Sequence, residues 1–120
     1  MTTSETRWKA FVKEVARDKI IWTIEKNGLY VTSNNRYGTK CFPWWSSKRR
    51  VARQIKQVPA YAGYRPIGFE WSVFINEWVP DLRQAKCLIG VNYARVENVG
   101  FDLPMIEVIN AVEQAMRQSS

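Results

Sequence analysis

Apolar residues recur along this chain with two different periods, and each period predicts one type of secondary structure. Near the N-terminus, Trp8, Phe11, Val12 and Val15 are spaced at i, i+3, i+4 and i+7. This spacing is typical of an amphipathic helix, which we place over about residues 3–18. Charged residues occupy the opposite side of the helix, so one face is expected to pack on a core.

A β-hairpin is predicted directly after this helix. Apolar and polar residues alternate over residues 20–25, which is the period of a half-buried strand. Asn27-Gly28 is a strong turn signal because both residues tolerate positive φ. The second strand is expected to return beside the first, with Ser33 opposite Trp22.

Strands and helices alternate over the rest of the chain. The predicted strands cover residues 39–42, about 67–69, 87–91 and 96–101. The predicted helices cover about residues 47–57, the segment from Trp71 to Trp78, which Pro80 stops or kinks, and the residues that follow Asp102. The resulting order is α-β-β-β-α-β-α-β-(β)-α.

This order favours an α+β fold, in which a mostly antiparallel sheet of about four to five strands packs against four helices. The chain has 120 residues, so residues 1–120 are expected to form a single domain. No segment reaches the roughly 18 uninterrupted apolar residues of a membrane-spanning helix, and the charged N-terminus does not fit a signal peptide. We therefore expect a cytoplasmic protein with no membrane contact.

The residue types present exclude several classes of catalytic and metal site. The chain contains no histidine, which excludes Ser-His-Asp and Cys-His catalysis as well as His-containing zinc sites. Cys41 and Cys87 are far apart in apolar surroundings and are expected to be buried free thiols. The glycines fit no nucleotide-binding pattern. The sequence therefore predicts no cofactor, no metal and no catalytic residue, and the protein is expected not to be an enzyme.

Several segments resemble the domain of unknown function 2750 family. They are WKAFVKEVA at residues 8–16 with Trp22 after it, FPWWSS at 42–47, FINEWVPDL at 74–82 and IGVN at 89–92. The resemblance extends over about residues 7–116 and implies a small bacterial cytoplasmic α+β protein, without any activity, cofactor or catalytic residue. In one respect this chain departs from the family pattern. The helix after Trp45 is strongly basic here, where the family is mixed or acidic, so a role of that helix would be particular to this chain.

Charge is distributed unevenly along the chain, which has a net charge of +7. The first 65 residues contain 14 Lys or Arg and 4 Asp or Glu, whereas the remaining residues contain 4 and 7. Between Lys26 and Phe69 there are nine basic residues and no acidic one. Arg49, Arg53 and Lys56 fall at i, i+4 and i+7, so they share one helix face that would attract polyanions.

The predicted partner-binding site combines this basic helix with an aromatic anchor. Adjacent residues of an extended segment point to opposite sides, so we expect at most one of Trp44 and Trp45 to lie in the core. The other ring could serve as an exposed anchor or as a stacking surface for nucleic acid. The complete set of predicted site residues is Arg36, Trp44, Trp45, Lys48, Arg49, Arg50, Arg53, Lys56 and Arg65.

We therefore expect a non-catalytic binding or interaction module that contacts an anionic partner through the basic helix. An acidic protein and a nucleic acid both remain open as that partner, and the basic helix could instead be a solvated surface only. The alternative is an enzyme or small-ligand binder that uses the carboxylates of Glu70, Glu77 and Asp81. The sequence does not determine the oligomeric state.

Overall fold

The computed structural model of the protein describes residues 3–35, 37–94 and 99–119. Within these residues the chain forms four helices, α1 (Thr3–Asp18), α2 (Lys48–Gln57), α3 (the consecutive segments Trp71–Val73, Phe74–Trp78 and Val79–Gln84) and α4 (Met105–Ser119). None of these helices combines the length and the apolar character needed to cross a membrane. The strands are β1 (Ile20–Lys26), β2 (Leu29–Tyr30), β3 (Ser33–Asn34), β4 (Lys40–Trp44), β5 (Arg65–Glu70), β6 (Leu88–Ala94) and β7 (Val99–Leu103).

The strands are divided between two sheets, with orders β2-β1-β5 and β3-β4-β6-β7. All neighbouring strands are antiparallel except β4 and β6. The parallel pair is possible because α2, β5 and α3 separate its strands in the chain and form the long connection that it requires. The predicted α+β class, with mostly antiparallel strands and four helices, is confirmed, although the strands form two sheets and not one.

The predicted hairpin forms, but its second strand is shorter than expected. Asn27 and Gly28 have φ of 53° and 78°, as a two-residue turn requires. The pairing of β2 with β1 stops after two residue pairs. Trp22 lies opposite Gly68 of β5 at one edge of β1 and is bridged to Trp45 at the other edge, so the prediction that it lies opposite Ser33 is wrong. The indole of Trp22 fills the space beside Gly68, where an added Cβ would lie 3.0 Å from the ring.

A single backbone bridge joins the two sheets. The N–H of Trp22 donates to the carbonyl oxygen of Trp45 at 2.9 Å, and the N–H of Trp45 donates to the carbonyl oxygen of Trp22 at 2.8 Å. Because Trp45 directly follows β4, this bridge places the end of β4 between β1 on one side and β6 on the other. The end of the strand therefore has a backbone partner at each of its two edges.

Two apolar clusters form the core, one on each side of β4. The larger cluster joins α1, α3 and α4 to β4 and β6, and it includes Phe11, Phe42, Trp44, Phe74, Ile89 and Val108. The smaller cluster joins α2 to β1 and β6, and it includes Ile24, Trp45, Val51, Val58, Tyr61 and Tyr93. Helices α1, α3 and α4 therefore pack on one side of β4, and helix α2 packs on the other side.

Helix α3 continues through Pro80, which the sequence predicted to stop or kink it. Phe74–Trp78 is wound as a π-helix, and the N–H of Val79 donates to the carbonyl oxygen of Phe74, five residues earlier. Pro80 has no N–H to donate, and a proline ring crowds the carbonyl four residues before it in a regular α-helix. The wider turn is one way in which a helix accommodates such a residue.

Candidate functional site

Helix α2 carries most of the predicted site. The Ser47 side chain accepts a hydrogen bond from the backbone N–H of Arg50 at 3.2 Å, which caps the N-terminus of the helix. Val51 and Gln54 are buried on the inner side, and Val58 is buried directly after the helix. Because this side is fixed against the core, the opposite side of α2 faces solvent.

The solvent-facing side of α2, which we call the basic face, carries Lys48, Arg49, Arg53 and Lys56. All four residues are exposed. Within the described part of the chain, none of the four has a carboxylate within ion-pair distance. The structure thus brings these predicted residues onto one surface, while the binding of a partner stays a prediction.

Two cations of the basic face lie at an electrostatically unfavourable place. Lys48 and Arg49 begin α2, whose first turn contains no acidic residue. The helix macrodipole is positive at this end, so an exposed cation there costs about 0.3–1 kcal/mol at low ionic strength. An anion bound beside these side chains would offset that cost and could accept hydrogen bonds from backbone N–H groups of the first turn.

Arg50 serves a different role from its neighbours, because it pairs with a carboxylate. Its Nε and Nη2 atoms donate to Oε1 and Oε2 of Glu14, both at 3.0 Å. The two side chains are only 29% and 22% exposed. The pair fixes α2 to α1, so the charge of Arg50 is largely compensated within the fold and does not widen the basic face as the sequence suggested.

The carboxylate of Glu14 also belongs to a polar network at the N-terminal end of α2. Ser46 donates from its Oγ to Oε1 of Glu14 at 2.6 Å, and its backbone N–H donates to Oδ1 of Asn92 at 2.9 Å. Asn92 donates from Nδ2 to the Ser46 Oγ at 3.0 Å and to the carbonyl oxygen of Arg7 at 3.3 Å. Asn92 has φ of 47° beside an irregularity in the β6–β7 pairing. The network links α1, β6 and the start of α2.

Burial and hydrogen bonding act in opposite directions on Glu14. Burial of the carboxylate raises its pKa. The hydrogen bonds from Arg50 and Ser46 and the charges of Arg50 and Arg17 lower the pKa, and together they outweigh the effect of burial. The pKa of Glu14 therefore lies below the ordinary value for a glutamate. The ionised form is the one that holds α2 in place.

Arg65, like Arg50, pairs with a carboxylate. Arg65 donates from Nη2 to Oε2 of Glu25 at 2.8 Å, across the pairing of β5 with β1. This ion pair compensates much of the charge of Arg65, while its predicted role in binding a partner stays a prediction. Arg36 lies outside the described residues.

Trp44 and Trp45 are both buried, with relative exposures of 0% and 1%. The expectation that at most one of them lies in the core is wrong, and neither ring can serve as an exposed anchor. Trp44 packs in the larger cluster, and Trp45 packs in the smaller one, where its Nε1 donates to the carbonyl oxygen of Tyr93 at 2.9 Å. The reason is that the end of β4 lies between two layers, so both sides of the strand are core.

The three carboxylates of the enzyme alternative do not converge on one cleft. Glu70 lines a cleft of about 530 Å³ beside Trp71 and Glu113, and neither Glu77 nor Asp81 is among the residues that line it. The Trp71 Nε1 donates to Oε2 of Glu113 at 3.2 Å, so that carboxylate holds an indole in place. In the described ranges, no group of three or more acidic, Cys or His side chains could hold a metal ion.

Both cysteines are buried free thiols, as the sequence predicted. Burial, followed by the negative charge of Asp102, raises the pKa of the Cys41 thiol to about 11. The hydroxyl of Tyr93 donates to Asp102 in the same cluster, and burial raises its pKa as well. A thiol that stays protonated at neutral pH is a poor nucleophile.

Comparison with known proteins identifies a family. No curated protein matches the chain. One solved structure that matches the chain is Anabaena Tic22 (protein transport), which is 15% identical with a TM-score of 0.40. The alignment covers 99% of this chain and 55% of that chain, so the protein spans about half the length of Tic22. A family model described as protein of unknown function (DUF2750) matches residues 8–112, and the chain therefore belongs to the DUF2750 family.

Proposed function

We propose that this domain is a non-catalytic binding module that contacts an anionic partner through the basic face of α2. The observation that carries the proposal is the group of four exposed cations on one side of a short helix. No carboxylate among the described residues lies within ion-pair distance of Lys48, Arg49, Arg53 or Lys56. Two of the other predicted site residues, Arg50 and Arg65, do have such partners and lie off this face.

The position of the cations supports a role beyond solubility. Solubility would be served equally well by lysines at the C-terminal end of α2, where the helix macrodipole favours them. Lys48 and Arg49 instead occupy the N-terminal end, where they oppose the macrodipole. Proteins tend to break local stability rules of this kind at functional sites.

An acidic protein surface is the partner class that the face fits best. A site for single-stranded nucleic acid usually adds exposed rings on which bases stack. Trp44, Trp45 and Tyr61 are buried, so the rings nearest to α2 in the sequence are not offered to a ligand. Carboxylates, in contrast, are well matched to the arginines of the face. The phosphates of duplex nucleic acid are the competing ligand, so labelled oligonucleotides are tested beside the peptide.

The double variant Lys48→Glu/Arg49→Glu tests the proposal. Binding of a labelled Glu-rich peptide, measured by fluorescence anisotropy at low and moderate salt, is expected to weaken about tenfold or more, because two attractive charges become repulsive. The same change is expected to raise the midpoint of thermal unfolding, because glutamates at the start of α2 complement the macrodipole. Weaker binding by a more stable protein cannot result from unfolding.

A matched control separates the basic face from net charge. The variant Arg83→Glu/Lys86→Glu lowers the net charge by the same amount at two exposed positions at the end of α3 and directly after it. It is expected to bind the peptide as the wild type does. Equal losses in both variants would assign the binding to net charge alone. Failure of the wild type to bind the peptide at low salt would contradict an acidic protein partner, and preference for labelled duplex or single-stranded oligonucleotides would replace it with nucleic acid.

A further inference from the structure

We propose that the groove between α1 and α4 binds an amphipathic helix of a partner protein that carries carboxylates along one edge. This surface is separate from the basic face, and the inference does not rest on the function proposed for α2. The side of α1 that contacts α2 is marked by Glu14, which pairs with Arg50. The groove lies on another side of α1, which carries Trp8, Val12 and Ala16.

The floor of the groove is apolar and concave. Helices α1 and α4 pack against each other, and a groove of about 550 Å³ remains along their outer side. Trp8, Val12 and Ala16 line it from α1, and Ala111 and Ala115 line it from α4. Trp8 is only partly buried, although its ring stacks on Phe11 of the core with 6.2 Å between ring centroids. An apolar floor with this shape can accept side chains from a further helix.

The rim of the groove on α1 is basic. Lys9, Lys13 and Arg17 follow one another at i, i+4 and i+8, so successive charges are about 6 Å apart along the helix axis. Within the described residues, no carboxylate lies within ion-pair distance of Lys13. Lys9 pairs with Glu5, and Arg17 pairs with Asp18, but both pairs are exposed and can be exchanged for a partner carboxylate at little cost.

These features together specify the occupant. An amphipathic helix has apolar side chains at i, i+3 or i+4, and i+7 on one face. A groove between two helices accepts side chains with this spacing. Glutamates spaced four residues apart along one edge of that helix would repeat the spacing of the rim cations. A basic edge would instead be repelled. The basic rim therefore determines that the charge on the partner helix is negative and that its charged edge faces α1.

Two designed helical peptides test this inference on the intact protein. They share the same apolar positions, and one has Glu and the other Lys at three edge positions four residues apart. In a ¹⁵N-NMR titration, the Glu peptide is expected to shift the backbone signals of Trp8, Val12, Ala111 and Ala115. The Lys peptide is expected to leave these signals unchanged. Absence of shifts at these residues with the Glu peptide overturns the proposal, as do equal shifts with both peptides.

Variants of the groove complete the test. Ala111→Leu places a larger side chain in the groove at a partly buried position, and it is expected to weaken the Glu peptide about tenfold while the protein remains folded. Lys9→Glu/Lys13→Glu is expected to reverse the preference, so that the Lys peptide binds. Arg83→Glu/Lys86→Glu, which lowers the net charge by the same amount outside the groove, is expected to bind the Glu peptide as before. An equal reversal of preference in that variant would assign the binding to net charge alone, and groove shifts that depend on protein concentration without peptide would assign the groove to a second copy. Either result overturns the proposal.

Discussion

Trp44→Ala is expected to destabilise the fold by about 3–5 kcal/mol, which is the usual cost of removing a large aromatic side chain from a close-packed core. The Trp44 ring is fully buried, and its centroid lies 4.9 Å from that of Phe74 and 5.1 Å from those of Trp78 and Phe42. These partners come from two different elements, so they cannot close together over the vacated space without distorting the fold. Small domains are stable by about 5–15 kcal/mol, and the variant would lose much of that margin.

Urea unfolding followed by circular dichroism measures this effect, and two further variants make it interpretable. Leu29→Ala removes an apolar side chain that is 67% exposed, and it is expected to change the free energy of unfolding by less than about 0.5 kcal/mol. Trp44→Phe keeps a ring in the core and removes an indole N–H that has no hydrogen-bond partner among the described residues. It is expected to cost much less than Trp44→Ala, because an unsatisfied buried donor is itself unfavourable. Equal effects of Trp44→Ala and Leu29→Ala would contradict the placement of Trp44 in the core.

Local signals in the sequence were sufficient to predict α1, α2 and the hairpin turn. Each depends on residues close together in the chain: the apolar spacing of α1, the serine before α2 and the Asn27-Gly28 pair. The pairing of strands depends on residues far apart. The short β2 and the parallel pairing of β4 with β6 follow from contacts that form only when distant segments meet. Periodicity carries no information about such partners.

The positions of Trp44 and Trp45 show where the prediction failed. It assumed a sheet with one solvent-facing side, for which adjacent residues alternate between core and surface. The sequence contains a signal against that assumption, because residues 41–45 form an uninterrupted run of apolar residues and proline. Such a run is typical of a strand that is buried on both faces.

The candidate site was predictable only in part, and for a similar reason. The spacing of Arg49, Arg53 and Lys56 placed them on one face, since spacing within a helix is a local property. Arg50 belongs to the same run of basic residues but pairs with Glu14, which lies 36 positions away in the chain. Nothing in the local pattern distinguishes it from Arg49. Sequence therefore identified the basic helix, and only the fold could show which of its charges remain available to a partner.

Glu14→Gln is expected to destabilise the protein by about 2–3 kcal/mol at neutral pH, somewhat less than the cost of breaking a fully buried ion pair because the pair is partly solvated. The amide cannot accept both hydrogen bonds that Arg50 donates to the carboxylate. Burial, and after it the nearby charge of Arg50, lowers the pKa of Arg7, because a neighbouring like charge disfavours the charged form. Without Glu14, Arg50 keeps this repulsion and loses its anionic partner. Glu5→Gln, which removes an exposed pair with Lys9 and an acidic side chain in the first turn of α1, is the control and is expected to cost less than about 1 kcal/mol.

The pH dependence of this effect gives an independent check. The pKa of Glu14 is lower in the folded protein than the roughly 4.3 of an unfolded glutamate, so the ion pair contributes its full stabilisation above that value. As the pH falls, the unfolded chain takes up a proton before the folded protein does, which favours unfolding. The stabilisation from the ion pair is lost once the pH has fallen through the lowered pKa. The difference in unfolding free energy between the wild type and Glu14→Gln is therefore expected to shrink as the pH falls from about 5 through the lowered pKa of Glu14. A difference that stays constant over this range would mean that Glu14 stabilises α2 through packing and not through its charge.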